Sequence, residues 1–549
     1  MGEPATFNFA DIWEAVWPRS AERTALVCGQ QRRTYRELAE RTNQLARRLH
    51  GAGIGRGDHV GLFLRNGVEY LEAMLAAFTL QAVPVNINYR YVADELRHLV
   101  TDSESVALLF HSSLGGAVAE LGPEVLGSMR TILAIDDGGA GAGVTVAGAT
   151  PYEDALAGRS TEPLPNPGRT GDDHYLMYTG GTTGLPKGVL WRQEDAFYAC
   201  IGGGDPSRLN GAVERPEQVL DRIGQDISYL PVAPLMHAAA QWTTLMWLFA
   251  GGKTTLMPGS FQPPEVWQAV QDEAVNTITV VGDAVGGPLL RAWLAEPYRW
   301  DVSSLFAISN GGAPMSPSLK ARIAETFPDV MVIDGFGSSE TGAQGSHRLQ
   351  RGDAGRSHGV TRFAPYENTL VVDEDGHPVE PGSEITGRVA LRGRIPLGYL
   401  NDPEKTAATF VEVDGVRHVL TGDQATVAAD GTIQLLGRGS QCINTGGEKV
   451  FPEEVEGVLH GHPSVGDVLV VGVPDERWGS AVVAIVAPLS QGEPPTLERL
   501  RDHCRASLAG YKLPKDLVLV DAIQRSPAGK AYYRWAAHIA AEELSGRPG

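Results

Sequence analysis

The segment Tyr178-Thr-Gly-Gly-Thr-Thr-Gly-Leu-Pro-Lys-Gly188 concentrates more potential chemistry than any other stretch of the chain. Gly180, Gly181 and Gly184 allow a ligand to approach the backbone closely, Thr179, Thr182 and Thr183 offer hydroxyls, and Lys187 adds a cation. Backbone N–H groups, hydroxyls and one ammonium together suit a polyphosphate, whose oxygens need donors and whose charge needs neutralising. It is not a Walker A loop, because Lys187 follows Leu-Pro and precedes glycine. The lysine is also scarce: the chain has eight lysines among 46 basic residues, against 66 acidic ones. A net charge of −20 argues against nucleic acid or an anionic membrane as partner through bulk electrostatics, so an anionic ligand must find positive charge locally.

Other side-chain chemistries are poorly represented. Cys28, Cys200, Cys442 and Cys504 are far apart with no C-x-x-C, which indicates neither a disulfide framework nor a zinc cluster. His460 and His462 form the one close histidine pair, at a spacing that fits one helix face badly. The N-terminus is acidic and lacks the basic-then-apolar order of a signal peptide. The most hydrophobic stretch, Trp242 to Ala250, is too short to span a bilayer. The expectation is a cytoplasmic enzyme with no integral membrane segment and no nucleic-acid partner; a homo-oligomer is compatible with it.

The elements that must position the loop can be read around it. A chain of 549 residues predicts three or four domain-sized units. Thr34-Tyr-Arg-Glu37 reads as a capping box opening a helix with Leu38, Leu45 and Leu49 on one side. His59 to Leu64 reads as a short buried strand, Tyr70 to Leu80 as a helix, and Pro84 to Ile87 as the next strand. That alternation predicts α/β layering with parallel strands. Residues 138–150 read as a surface excursion and 202–226 as an aperiodic insertion after the loop. Near residue 440 the texture changes to strands at Asp467–Val473, Ala481–Pro488 and Leu517–Val520, with an amphipathic helix at Leu497–Leu508. The fold expected is therefore α/β: a large multi-subdomain N-terminal domain over 1–437, a hinge at 438–441, and a small mobile α+β domain over 442–549.

In order and spacing, these motifs resemble the adenylate-forming superfamily of acyl-CoA synthetases, peptide-synthetase adenylation domains and luciferases. The glycine-rich loop resembles that superfamily's phosphate loop. Pro234-Leu-Met-His237 resembles the segment whose histidine lies beside the acyl pocket. Ser309-Asn-Gly-Gly-Ala-Pro314 and Asp334-Gly-Phe-Gly-Ser-Ser-Glu-Thr341 resemble the two segments that sandwich adenine and position the metal. Thr421-Gly-Asp423 and Gly437-Arg438 resemble the ribose-binding elements, and Ser526-Pro-Ala-Gly-Lys530 the catalytic lysine. The likeness runs from about Thr34 to Lys530. Gly-Arg-Gly-Ser followed by Gly-Gly-Glu-Lys-Val-Phe-Pro-Glu-Glu most resembles an actinobacterial branch acting on fatty acids and on steroid side-chain or similarly bulky polycyclic acids.

The resemblance implies ATP, Mg²⁺ and coenzyme A, with a small-molecule carboxylic acid as substrate. It implies that Lys187 and the loop donors hold the β- and γ-phosphates and that Glu340 ligates Mg²⁺. Gly311, Gly312, Ala313, Pro314, Asp334, Gly335, Phe336, Gly337, Ser338 and Ser339 would surround the nucleotide. Asp423 suits ribose, since one carboxylate accepts from both hydroxyls, and Arg438 can donate to ribose or phosphate. Lys530 would bridge the acid's carboxylate and the α-phosphate, countering the repulsion between two anions. Ser440 stands at the hinge position where Asp or Lys is usual, Gly180 where serine is frequent, and Ser339 where threonine usually precedes the metal-binding Glu. Gly446, Gly447, Glu448 and Lys449 would meet coenzyme A in the second half-reaction. His237, Trp242, Gly282 and Asp283 would shape the acyl pocket, with Gly282 leaving room for a bulky acid. Alternatives are an adenylating enzyme that loads a carrier protein, a ligase specialised in one half-reaction, a luciferase-like oxygenase, and a non-catalytic acyl-nucleotide-binding protein.

Overall fold

The computed structural model describes residues 3–139, 144–165, 168–179, 186–208, 210–224, 226–349, 361–438, 441–445, 448–475, 479–489, 493–525 and 531–545. Two large mixed sheets carry the N-terminal region. One has eight strands in the spatial order Gly398–Tyr399, Lys187–Arg192, His174–Thr179, Val83–Asn86, His59–Phe63, Ser105–His111, Thr131–Ile135 and Ala149–Pro151. Its neighbours are parallel from His174–Thr179 onward and antiparallel at the Lys187 edge. The second has nine strands, parallel from Met331–Ser338 across to Thr24–Cys28, with antiparallel strands added at both edges. The parallel layering read from the alternating apolar segments is present in both.

Buried apolar residues explain why the two sheets stay together. One core cluster contains Leu26 of the nine-stranded sheet and Leu62 and Tyr175 of the eight-stranded sheet, with Trp13, Tyr35, Tyr70 and Leu245 from helices between them. Every residue of the helix Val68–Thr79 is buried, so it lies wholly within this shared core. The helix Tyr35–Gly51 begins at the expected capping box: Glu37 N–H donates to Thr34 Oγ1 at 3.1 Å, and Thr34 N–H to Glu37 Oε2 at 2.8 Å. A third, antiparallel sheet contains Val416–Val427 paired with Ile433–Arg438 and leads toward the C-terminal region.

The small C-terminal domain is built on Val465–Asp475, Gly479–Pro488 and Asp516–Leu519. Alternate residues of its first two strands point to opposite faces. Val468, Val470, Val482 and Ala484 pack with Val455, Leu459 and Leu500. Leu469, Val471, Val483 and Ile485 pack with Ala536 and Ala540. Helices covering both faces account for the unbroken apolar run in these strands. The fold is thus a mixed α/β chain with a large N-terminal and a small C-terminal domain. No helix among the described residues is long and apolar enough to cross a membrane.

Candidate active site

Thr179 and Lys187 end the glycine-rich loop as the last register pair of two antiparallel strands. Gly180, Gly181, Thr182, Thr183 and Gly184 lie outside the described residues. The strand after the loop is paired on its other side by Gly398–Tyr399, with Tyr399 opposite Val189. Gly398 is required there: a Cβ would lie 2.5 Å from Thr406 Cγ2. Thr406 Oγ1 accepts the Tyr399 N–H at 2.9 Å, locking the helix Pro403–Thr409 to this edge.

This edge connects the lysine expected to hold phosphate to the expected metal ligand. Lys187 Nζ lies 3.0 Å from Asp402 Oδ2 and 5.7 Å from the centroid of the Tyr399 ring. The hydroxyl of Tyr399 donates to Glu340 Oε1 at 2.9 Å. One aromatic side chain therefore presents its face to the lysine and its hydroxyl to the carboxylate. Trp191, four residues after Lys187, donates its indole N–H to the Ser339 carbonyl at 3.0 Å and so ties the two large sheets together beside Glu340.

Glu340 occupies the tight turn between Met331–Ser338 and Gly342–Leu349. Ser338 N–H donates to Thr341 Oγ1 at 2.9 Å and Glu340 N–H to Ser338 Oγ at 3.2 Å, which fixes the turn. Gly342 has φ +68°, and a Cβ there would meet the Ala199 carbonyl oxygen at 2.5 Å. Among the described residues, the one side-chain bond to the Glu340 carboxylate is made at Oε1. The remaining oxygen suits a hard cation that takes its other ligands from phosphate and water, as Mg²⁺ does.

The two segments expected to flank adenine form one hydrogen-bonded unit. Asn310 donates to Asp334 Oδ1 at 2.7 Å and to the Ala313 carbonyl at 2.9 Å, while its Oδ1 accepts from Gly282 N–H at 2.7 Å. Lys320 Nζ lies 2.7 Å from Asp334 Oδ2, and both side chains are almost fully buried, at 2% and 5% exposure. Gly311, Gly312, Ala313 and Pro314 thus form a loop held from below by Asn310 and Asp334. Phe336 packs edge-to-face on Phe363 with centroids 5.0 Å apart. Gly335 and Gly337 flank Phe336 on the same strand, and a Cβ at Gly337 would meet the Gly342 carbonyl.

The acyl-pocket expectations need one correction. A Cβ at Gly282 would lie 2.5 Å from the Pro314 carbonyl oxygen and 3.0 Å from the Ala313 Cβ, and the residue has φ +55°. Glycine here permits close packing against the loop carrying Ala313 and Pro314, and the space does not serve as free room for an acid. Asp283 accepts from Ser316 N–H at 2.8 Å and faces His460 of the C-terminal domain at 3.6 Å. Trp242 is a core residue whose indole N–H donates to Tyr175 Oη at 3.1 Å. His237 is half-buried at the start of the helix Ala238–Phe249.

The two segments expected to meet ribose come together: Asp423 and Arg438 are register partners on adjacent antiparallel strands, and Asp423 Oδ2 accepts from Thr421 Oγ1 at 2.6 Å. Glu448 is exposed, and Glu448 and Lys449 pair with Thr445 and Asn444 in a short hairpin that precedes the helix Pro452–Leu459. Ser440, Gly446, Gly447 and Lys530 lie outside the described residues.

Residues 13–400 match the AMP-binding enzyme family and residues 454–530 its C-terminal domain. The chain belongs to the AMP-binding enzyme family. A medium/long-chain-fatty-acid–CoA/3-oxocholest-4-en-26-oate–CoA ligase of Mycolicibacterium smegmatis is 43% identical over 547 residues, covering 97% of each chain. A 3-oxocholest-4-en-26-oate–CoA ligase of Rhodococcus rhodochrous is 43% identical over 538 residues, covering 96% of this chain and 95% of the relative. Among solved structures, the anthranilate CoA ligase AuaEII in complex with anthranoyl-AMP aligns with a TM-score of 0.83 at 24% identity, covering 98% of this chain and 99% of that one. At that identity the alignment speaks for the fold alone.

Sequence reasoning missed four residues in this AMP-binding enzyme: Tyr399, Asp402, Asn310 as a brace, and Lys320. Gly398-Tyr-Leu-Asn-Asp-Pro403 carried a usable signal, since Asp before Pro marks a helix N-cap after a glycine turn. Lys320 carried none, because a lysine in a helix of mixed polarity reads as a solvated charge.

Proposed function

We propose that this enzyme is an AMP-forming acid:CoA ligase that activates a large hydrophobic, bulky or polycyclic carboxylic acid as its acyl-adenylate and then forms the thioester. The observation that carries the reading is the linked set Lys187–Tyr399–Glu340, which puts a phosphate-type cation and a metal-type carboxylate on one side chain's two ends. Lys187 neutralises the β- and γ-phosphates, the adenine loop held by Asn310 and Asp334 orients the base, and Asp423 takes the ribose hydroxyls. When Mg²⁺ is bound at Glu340, it supplies charge neutralisation on the phosphate oxygens. Lys530 bridges the acid's carboxylate and the α-phosphate. Residues 438–441 are the hinge about which the C-terminal domain turns to bring Gly446, Gly447, Glu448 and Lys449 to coenzyme A. The relatives named above support the choice of acid class. The enzyme works in the cytoplasm.

The test incubates the protein with C8–C16 fatty acids or 3-oxocholest-4-en-26-oate, Mg²⁺-ATP and coenzyme A, and follows pyrophosphate, AMP and thioester separately. Formation of all three is expected. No AMP with any acid, and no conversion of supplied acyl-AMP, defeats the ligase reading. Pyrophosphate release without thioester favours the carrier-loading alternative. Lys530→Ala is expected to suppress adenylation by about 10²-fold or more while sparing thioester formation from supplied acyl-AMP; equal loss in both steps contradicts the assignment.

A further inference from the structure

Lys187 and Asp402 form an ion pair that is built to be exchanged. Their side chains are 36% and 33% exposed, so water and a ligand can reach both. Among the described residues, Asp402 is the one carboxylate within ion-pair distance of Lys187. Asp402 has a second, independent anchor, since it caps the helix Pro403–Thr409 and its Oδ1 accepts the Lys405 N–H at 2.9 Å. That backbone bond is the main reason its carboxyl is held below the ordinary value, with Lys187 contributing after it. Asp402 therefore stays ionised and in place when Lys187 leaves it.

We propose that Asp402 is an intramolecular competitor for the phosphates: it occupies the Lys187 ammonium in the free enzyme, yields it to ATP, and reclaims it as pyrophosphate departs. The proposal rests on the reading of Lys187 as the phosphate-loop cation. A carboxylate and a phosphate oxygen make the same charge-assisted bond to an ammonium, so one displaces the other without any rearrangement of the strand that carries Lys187. A pair about one-third exposed is worth at most about 1 kcal/mol, so the competition amounts to roughly a factor of five in affinity. That is enough to loosen a product without preventing substrate binding. The helix keeps Asp402 fixed, and the aromatic face of Tyr399 keeps the ammonium near both partners.

The test uses Asp402→Asn, which keeps the size and the N-cap oxygen and removes only the charge. Asp402→Ser is a second neutral capping variant. ATP and inorganic pyrophosphate are titrated by calorimetry into the full-length protein, in parallel with Lys187→Met. Both neutral variants are expected to bind ATP and pyrophosphate about three- to fivefold more tightly than the parent, with a melting temperature lowered by no more than about 2 °C, and pyrophosphate is expected to inhibit their turnover correspondingly more strongly. Unchanged or weaker pyrophosphate binding in both variants, while Lys187→Met weakens it, overturns the competitor role alone. If Lys187→Met binds both ligands as the parent does, the phosphate role of Lys187 falls, and the competitor role falls with it.

Discussion

Lys320→Met removes one ammonium from beneath the loop proposed to hold adenine and leaves nearly the same hydrocarbon stem. The geometry makes the consequence large. The Lys320 ammonium sits 2.7 Å from Asp334 Oδ2, and the two side chains are 2% and 5% exposed, so neither end can recruit solvent when the other is lost. Asp334 would retain Asn310 as donor at 2.7 Å but would remain an uncompensated buried anion. Breaking such a pair costs about 3–5 kcal/mol. Asp334→Asn alone should cost a similar amount, because the buried ammonium loses its counter-charge and keeps only the Thr361 hydroxyl. The double variant Lys320→Met/Asp334→Asn buries no charge and keeps an oxygen for Asn310, so its loss should be under about 2 kcal/mol. Denaturant unfolding followed by intrinsic fluorescence measures the three values, and calorimetric ATP titration reads the loop. Asn310 connects Asp334 to the Ala313 carbonyl and to Gly282, so Lys320→Met should weaken ATP binding by about tenfold, equivalent to roughly 1.4 kcal/mol, and the double variant should recover most of it. Additive single costs in the double variant, or a loss below about 1 kcal/mol for Lys320→Met, would refute the reasoning.

Two further perturbations probe other parts of the molecule. Tyr399→Phe keeps the ring beside Lys187 and deletes the hydroxyl on Glu340, so the acid-dependent ATP–pyrophosphate exchange rate should fall by about tenfold while the KM for the acid stays within about twofold; an unchanged rate at every Mg²⁺ concentration removes the hydroxyl from the mechanism. Glu456 is buried in the C-terminal domain, where burial first, and Glu453 second, push its carboxyl up to about 8 from the ordinary 4.5. A raised folded value means its contribution to stability is fully present below pH 4.5 and is lost as pH rises through about 8, with a slope of up to about 1.4 kcal/mol per pH unit for one proton. Glu456→Gln keeps an oxygen to accept from Val470 N–H and places an amide N–H to donate to Tyr533 Oη, and it should flatten the pH dependence of the C-terminal domain's unfolding between pH 5 and 8. An equal slope in parent and variant would count against the buried carboxyl.

What could be read from the sequence divides along a physical line. Local rules found the capping box at Thr34, two parallel strands of the eight-stranded sheet, and the apolar runs that became the doubly covered sheet of the C-terminal domain. The glycines and hydroxyls around Lys187 singled that segment out as an expected ligand loop, and the family resemblance added Glu340, Asp334 and Asp423 as expected site residues. They did not find what crosses between segments. Tyr399 reaches Lys187 and Glu340 only because its strand pairs with Val189 across the sheet edge, and no periodicity near residue 399 predicts that partner. The Asn-Asp-Pro sequence was legible as a helix start, yet the second task of Asp402 on Lys187 depends on the same pairing. Gly282 was read as empty space because a missing side chain looks alike whether a substrate or a carbonyl fills its place; here the Pro314 carbonyl does.

The scarcity of lysine takes on a more specific meaning in the folded chain. Lys187, Lys253, Lys320 and Lys512 each sit against a carboxylate, as a chain of net charge −20 makes easy. Pairing alone therefore does not distinguish a functional lysine from a structural one; exposure does. Lys320 and Asp334 are sealed from water, so neither can exchange its partner without leaving a buried charge, and the pair acts as a fixed brace under the adenine loop. Lys187 and Asp402 are each about one-third exposed, so a phosphate can replace the carboxylate at little cost. The same chemical pair is permanent in one place and exchangeable in the other because of access to solvent, and only the exchangeable one lies at the end of the glycine-rich loop, where the proposed function takes up a polyphosphate and lets it go.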